Sequence, residues 1–311
     1  MSSTGVEIWR GGVNTWECDE MGHMNVRFYV TKAAEGLVGM AAALGLPNAF
    51  AAHAESTLLI REQHIRFLRE AHAGAALHMT GGVIAISEDE ARLVQLLWHS
   101  ESGALAATFQ TVVAHVTPRD GRPFPWSARS RALAEALVVD LPDQAAARSV
   151  SLDPVISTAG LARADALGLV RIAQGAVSPQ DCDIFGRMRA EQFIGRVSDG
   201  IPRLVRGFRD TVTEGADEKP KRVGGAVLEY RLIHLDWPRA GQRLEIRSGL
   251  KTADTRTKTM VHWMIDPDTG KAWGTSEAVA ITFDLDARKI VPISEAARER
   301  LMTQATPGLA L

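Results

Sequence analysis

The stretch C-D-E-M-G-H-M-N, residues 18–25, returns in altered form as C-D-I-F-G-R-M-R, residues 182–189. Both read C-D-x-x-G-x-M-x, and only the first carries a histidine and an asparagine, His23 and Asn25. The surrounding register continues. Asp19, Gly22 and Met24 recur as Asp183, Gly186 and Met188, 164 positions on, and Glu35 falls on Asp199 at the same offset. Farther along the offset becomes 167: Glu62 matches Glu229, Ala73 and Gly74 match Ala240 and Gly241, and Leu77 matches Leu244. Gly103, Thr108 and Val112 match Gly270, Thr275 and Val279. An ordered series of this kind indicates two copies of one structural unit. The three-residue change of offset requires only a longer loop in the second copy, and the polar segment 210–222 is where it is expected.

Each copy has the same order of elements. A short strand, near 6–13 and 169–177, precedes the C-D motif. A helix follows, expected over 23–44 in the first copy. There Val30, Ala34, Leu37, Val38, Ala41 and Leu44 fall at helical spacing, and Gly36, Gly39 and Ala42 fill much of the remaining surface. A helix apolar nearly all round is a buried one, and small residues suit close approach to a sheet. In the second copy Phe193, Val197, Ile201, Leu204 and Phe208 form the matching stripe, and Pro202 is expected to kink or split the helix. Four strand-like runs come next, two of which, 244–251 and 278–285, alternate apolar and polar residues. D-P-D-T-G at 266–270 and H-S-E-S-G at 99–103 are hairpin turn signals. Strands joined by short turns form an antiparallel sheet, so the fold class is α+β. Short helices are expected near 128–137 and 294–301. The domain limits implied are 1–142 and 166–311, joined by a linker at 143–165.

Composition excludes several classes. The chain has 311 residues, 46% apolar and 23% charged, and a net charge of -2. That balance gives no general attraction to nucleic acid or anionic membrane. The run 36–52 is broken by Gly39, Gly45 and Pro47 and is too short to span a bilayer. The first ten residues lack the basic start and apolar core of a signal peptide, and two cysteines do not make a disulfide scaffold. A cytoplasmic location is expected. The nine histidines form no H-x-H or H-E-x-x-H pattern and the cysteines no C-x-x-C, so no metal site is expected.

The strand, D-x-x-G-H-x-N loop, helix and four-strand order resembles the hot-dog fold, here as a tandem (double) hot-dog with each antiparallel sheet wrapped around a long central helix. The motif is similar to that of the 4-hydroxybenzoyl-CoA thioesterase family of acyl-CoA thioesterases. Asp19, Gly22, His23, Asn25, Tyr29 and Glu35 occupy the family's motif positions, and the likeness in motif is confined to 16–35. The resemblance implies hydrolysis of an acyl-CoA thioester without a bound cofactor. It also implies pairing of two hot-dogs with sites between them, here as an intrachain pseudo-dimer, with further association between chains left open. The second copy keeps Asp183 and Gly186, but has Arg187 and Arg189 in place of His and Asn, Phe193 for Tyr29 and Asp199 for Glu35. Its site is expected to be lost, altered or given over to binding.

Thioester hydrolysis needs a nucleophile or base and hydrogen-bond donors for the developing oxyanion. A loop carboxylate, Asp19, supplies the first. The unpartnered amides at a helix start supply the second, and Gly22 leaves room for the substrate carbonyl. The alternative for Asp19 is a helix cap. His23 suits either a general acid or an orienting role, with Asn25 and Tyr29 in support. Glu35 is either a supporting group or a solvated helix residue. Cys18 and Cys182 are expected to be buried. Phosphates of coenzyme A could meet Arg61, Arg66 and Arg69, or Lys219, Lys221 and Arg222, although solvated charges are the plainer reading. The competing functions are a thioesterase for acyl-carrier protein, an enoyl-CoA hydratase, and a non-catalytic acyl-CoA binder.

Overall fold

The computed structural model describes residues 5–213 and 222–311. The first copy runs β1 (Val6–Gly12), α1 (Val26–Ala43), β2 (Thr57–Phe67), β3 (Ala76–Ile86), β4 (Glu90–His99), β5 (Leu105–Val116) and α2 (Ala128–Ala136). After α3 (Leu161–Ala166) come β6 (Val170–Ala176), α4 (Glu191–Gly200), α5 (Pro202–Thr213), β7 (Val223–His234), β8 (Arg243–Ala253), β9 (Thr257–Ile265), β10 (Ala272–Asp284), β11 (Lys289–Ile290) and α6 (Glu295–Thr303). Two compact units result, and neither is continuous in sequence. One comprises the chain up to Ala147 together with Gln180–Gln192, the other Arg148–Pro179 and the chain from Phe193 onward. The second C-D loop therefore belongs to the first unit.

In the first unit the antiparallel strand order is β1-β3-β4-β5-β2. In the second it is β6-β8-β9-β10-β7, with β11 beside β10. These are the same order, as the repeat requires. The bulges repeat too. Pairing skips Ile8 in β1 and Ile172 in β6, Arg61 in β2 and Leu228 in β7, and Ile84 in β3 and Lys251 in β8. Their spacings are the 164 and 167 positions of the sequence repeat. A bulge is not dictated by any one residue type, so its recurrence at the same register marks two copies of one unit, a tandem hot-dog.

Helix α1 begins at Val26, three residues later than expected, because residues 18–25 close into a loop of their own. Asn25 caps it, accepting from the Arg27 amide at 3.0 Å, and Gly45 with φ 81° follows its end. Tyr29, Val30, Ala33, Gly36, Leu37, Met40 and Ala41 are buried. A Cβ on Gly39 would lie 2.2 Å from the carbonyl oxygen of Ile8, so only glycine lets α1 approach β1 at its bulge. The helix is not buried all round: Val38 is exposed, as are Glu35 and Ala42.

The long helix of the second copy is split. α4 ends at Gly200 and α5 starts at Pro202, since proline supplies no N–H and disfavours helical backbone before it. Of the loop expected at 210–222, residues 210–213 continue α5, and 214–221 lie outside the described residues. Helices α2 and α6 stand where expected, capped by Ser127 and Ser294, which accept from the amides of Ser130 and Ala297. A short helix, α3, lies in the segment before β6. Among the described residues no helix is long and apolar enough to cross a membrane.

The second unit buries a histidine. His262 on β9 is enclosed, its Nδ1 2.8 Å from Ser248 Oγ, and burial pushes its pKa down to about 3. An unfolded histidine titrates near 6.5. Between those values the unfolded chain binds the extra proton, so stability falls as pH drops below about 6.5 and stops falling near 3. The whole window amounts to roughly 5 kcal/mol at most. Urea midpoints measured at pH 7 and pH 4.5 should differ less for His262→Gln than for the parent chain. An identical acid slope in both would dismiss His262 as the cause.

Candidate active site

The loop between β1 and α1 is closed by its own backbone. The Asp19 amide donates to the His23 carbonyl at 2.9 Å, and the Gly22 amide donates to the Asp19 carbonyl at 3.0 Å. The turn puts Gly22 at φ +77°, where a side chain would be strained. No atom lies within 4 Å of where its Cβ would be, so the turn itself requires the glycine. Asp19 Oδ1 lies inside this turn, accepting from the amides of Met21 at 2.9 Å and His23 at 3.3 Å. Asp19 Oδ2 has no hydrogen-bond partner among the described residues, and the residue is half-buried.

The alternative that Asp19 caps the helix is excluded, because Asn25 holds that position and its Oδ1 accepts from the Arg27 amide. Asn25 is thus the residue that defines the helix start. Its amide donates to the Glu17 carbonyl at 2.9 Å, and that of Met24 to the Ala71 carbonyl at 2.7 Å. The amide of Val26, first in α1, has no acceptor among the described residues. The Gly22 amide is committed within the turn, so the open donor at the start of α1 is that of Val26.

The second C-D loop repeats the turn. The Asp183 amide donates to the Arg187 carbonyl at 2.7 Å, Gly186 has φ +77°, and Asp183 Oδ1 accepts from the amides of Phe185 at 2.8 Å and Arg187 at 2.9 Å. One difference stands out. Arg187, in the position of His23, turns its guanidinium onto the outer oxygen, with Nε 3.1 Å from Asp183 Oδ2. Two copies of the same backbone therefore present one carboxylate oxygen without a partner and one held by a cation. Within the same unit Arg27, on the first turn of α1, donates to Gln192 Oε1 at 3.5 Å.

The other motif residues hold the loop. His23 is buried, with Nε2 3.3 Å from Glu70 Oε2 and its ring edge-on to His72 at 5.0 Å between centroids. Tyr29 is buried on α1, its hydroxyl accepting from the Ala71 amide at 3.2 Å and its ring edge-on to Phe67. Burial holds the phenol far above its ordinary pKa, so it acts as a neutral group. Glu35 is exposed and accepts from the indole N–H of Trp9, which makes it a solvated helix residue tied to β1. Cys18 and Cys182 are half-buried rather than buried. Of the basic residues considered for phosphate, Arg66 donates to the carbonyls of Asp143 and Ala146, and Arg222 pairs with Asp286 at 3.4 Å. Lys219 and Lys221 lie outside the described residues.

Sequence reasoning missed the pair that anchors this loop. Glu17 and Lys32 are both buried, with Nζ 2.8 Å from Oε1 and 3.0 Å from Oε2. Glu17 Oε2 also accepts from the Asn14 amide at 2.8 Å. The signal was legible: N-x-x-E at Asn14 to Glu17 is a capping-box pattern, and Lys32 is a cation on an apolar helix. Glu70 and His72 left no such signal, since only the chain fold brings them beside His23.

Residues 13–141 and 177–301 match the family model of the thioesterase-like superfamily. No curated protein matches the chain. Among solved structures, a Lactobacillus plantarum protein named as an oleoyl thioesterase superposes with a TM-score of 0.66 at 10% identity, over 89% of this chain and 97% of that one. The 12:0-ACP thioesterase of Umbellularia californica gives 0.64 at 10% identity, over 88% and 92%. An acyl-ACP thioesterase from Bacteroides thetaiotaomicron gives 0.61 at 10% identity, over 88% and 96%. At these identities the likeness is one of fold.

Proposed function

We propose, from the premise that the chain belongs to the thioesterase-like superfamily and is a thioester hydrolase, that it cleaves acyl-CoA with Asp19 as its reacting carboxylate. The observation that carries this reading is the contrast between Asp19 Oδ2, without a partner, and Asp183 Oδ2, held by Arg187. A carboxylate oxygen bonded to a guanidinium is a poor nucleophile and a poor base, because its lone pair is already engaged. Asp19 keeps one oxygen for orientation, through two backbone amides, and one for chemistry.

The Val26 amide supplies the donor for the thioester oxygen. A donor of this kind contributes roughly 3–4 kcal/mol when it meets the developing oxyanion, and the start of α1 adds its positive end. Two routes use the same groups. Asp19 Oδ2 attacks the carbonyl carbon, the C–S bond breaks, coenzyme A leaves as thiolate, and water then hydrolyses the mixed anhydride. Alternatively Asp19 takes a proton from water as that water attacks the carbonyl carbon; the C–S bond then breaks, and the departing coenzyme A thiolate takes up the proton. A single turnover in 18O-labelled water tests the first route: label in the Asp19 carboxylate establishes it, because water attacking the aspartyl carbonyl of the anhydride leaves its oxygen there. His23, Asn25 and Tyr29 keep the loop in place, and Asp183 with Gly186 and Arg187 forms a non-reacting counterpart.

A second reading concerns the carrier. Two of the solved structures that match over most of the chain are named for acyl-ACP. Thiol release should be measured over acyl-CoAs of short, long, aromatic and polar type, beside the same acyl groups on acyl-carrier protein. The expected result is a higher kcat/KM for at least one CoA ester than for its carrier-protein counterpart. Preference for the carrier protein in every pair would replace the CoA assignment. Binding of the esters with no thiol released from either would leave only a binding protein.

A further inference from the structure

Outside the reacting groups, the first unit assembles three metal-ligating side chains from two segments. His23 lies in the loop before α1, and Glu70 and His72 lie between β2 and β3. His23 Nε2 is 3.3 Å and His72 Nε2 4.0 Å from Glu70 Oε2, and all three ligand atoms lie within 4.8 Å of one another. Ligands about 2.0–2.2 Å from a tetrahedral zinc ion stand roughly 3.3–3.6 Å apart. The remaining gaps, about an ångström for a pair at the 4.8 Å limit, fall to two side chains that are partly exposed and can move, Glu70 and His72.

We propose that His23, Glu70 and His72 form a three-ligand site for a first-row divalent transition-metal ion, with Zn2+ the best match to the donor set. Two further observations support it. His72 Nδ1 lies 3.0 Å from the Gly22 carbonyl oxygen, which can only accept, so Nδ1 carries the proton and Nε2 presents its lone pair toward Glu70. A ligating histidine has this arrangement, its second nitrogen donating to a backbone carbonyl. His23 and His72 are also joined by an isolated backbone bridge, which fixes the distance between their Cα atoms before any ion arrives. The fold does not require the cluster. At the corresponding positions the second copy has Arg187, Trp237 and Arg239, none of which ligates a metal in this way.

Two imidazoles and one carboxylate leave a fourth position for water or a ligand. The site involves the turn that holds Asp19: the His23 amide donates to Asp19 Oδ1, and the Gly22 carbonyl holds His72. An ion there would brace the loop against the segment that follows β2.

The test is a Co2+ titration of chelator-treated protein, followed by Zn2+ competition and by thermal denaturation. Expected are one equivalent bound per chain, the intense visible bands of four- or five-coordinate cobalt, their loss on adding Zn2+, and a Zn2+-dependent rise in Tm. His72→Ala removes a mostly exposed side chain and should weaken binding at least about tenfold, with an unchanged circular dichroism spectrum. Glu70→Gln should do the same, whereas His53→Ala, at an exposed histidine elsewhere, should not. No saturable binding, the weak bands of six-coordinate cobalt, or equal affinity in the parent and His72→Ala would overturn the proposal.

Discussion

Asp19→Asn is expected to lower kcat for thioester hydrolysis by roughly 10²–10⁴-fold, the range associated with a positioned acid or base. Asn keeps an oxygen for the Met21 and His23 amides, so the turn survives and KM should change little. Asp183→Asn should have the reverse profile. It removes no reacting oxygen, but it takes the carboxylate away from Arg187, which is buried. Activity should stay near that of the parent while Tm falls, because a buried cation loses its ion pair with Asp183. Steady-state kinetics beside thermal denaturation read both effects. Equal losses of kcat in the two variants would end the asymmetric assignment.

The largest stability effect should come from Lys32→Met. It leaves Glu17 buried without the ammonium that lies against both of its carboxylate oxygens. Removing one partner of a buried pair costs about 3–5 kcal/mol, against about 0–1 kcal/mol for an exposed pair. The pair holds the loop at its root: the Glu17 side chain binds the Asn14 amide, and its carbonyl receives the Asn25 amide at the helix start. Urea denaturation measures the loss. The double variant Lys32→Met with Glu17→Gln should recover much of it, since the uncompensated charge is then gone. A loss below about 1 kcal/mol in the single variant would mean that the pair behaves as a solvated one.

Several features were legible without coordinates because they depend on neighbours in sequence. The repeat at offsets of 164 and 167 showed the same order of elements along the chain twice. The glycine of D-x-x-G reads, in sequence, as leaving room for a substrate carbonyl, whereas Gly22 and Gly186 both adopt a left-handed backbone that the turn requires. Pro202 marked the break between α4 and α5. Asn25 carried a cap signature, but its place in the motif drew attention to chemistry instead.

The amino-acid sequence by itself determined that one α+β unit is written twice, that a carboxylate loop precedes a helix in each copy, and that the two loops differ at the fourth residue after the aspartate. Tertiary structure decided what that difference does. Arg187 folds back onto Asp183 Oδ2, whereas His23 turns to Glu70, 47 positions away, and leaves Asp19 Oδ2 without a partner among the described residues. Turn type and helix caps are set by contacts within a few residues, so spacing encodes them. The partner chosen by a side chain depends on which distant segment the strand pairing brings beside it.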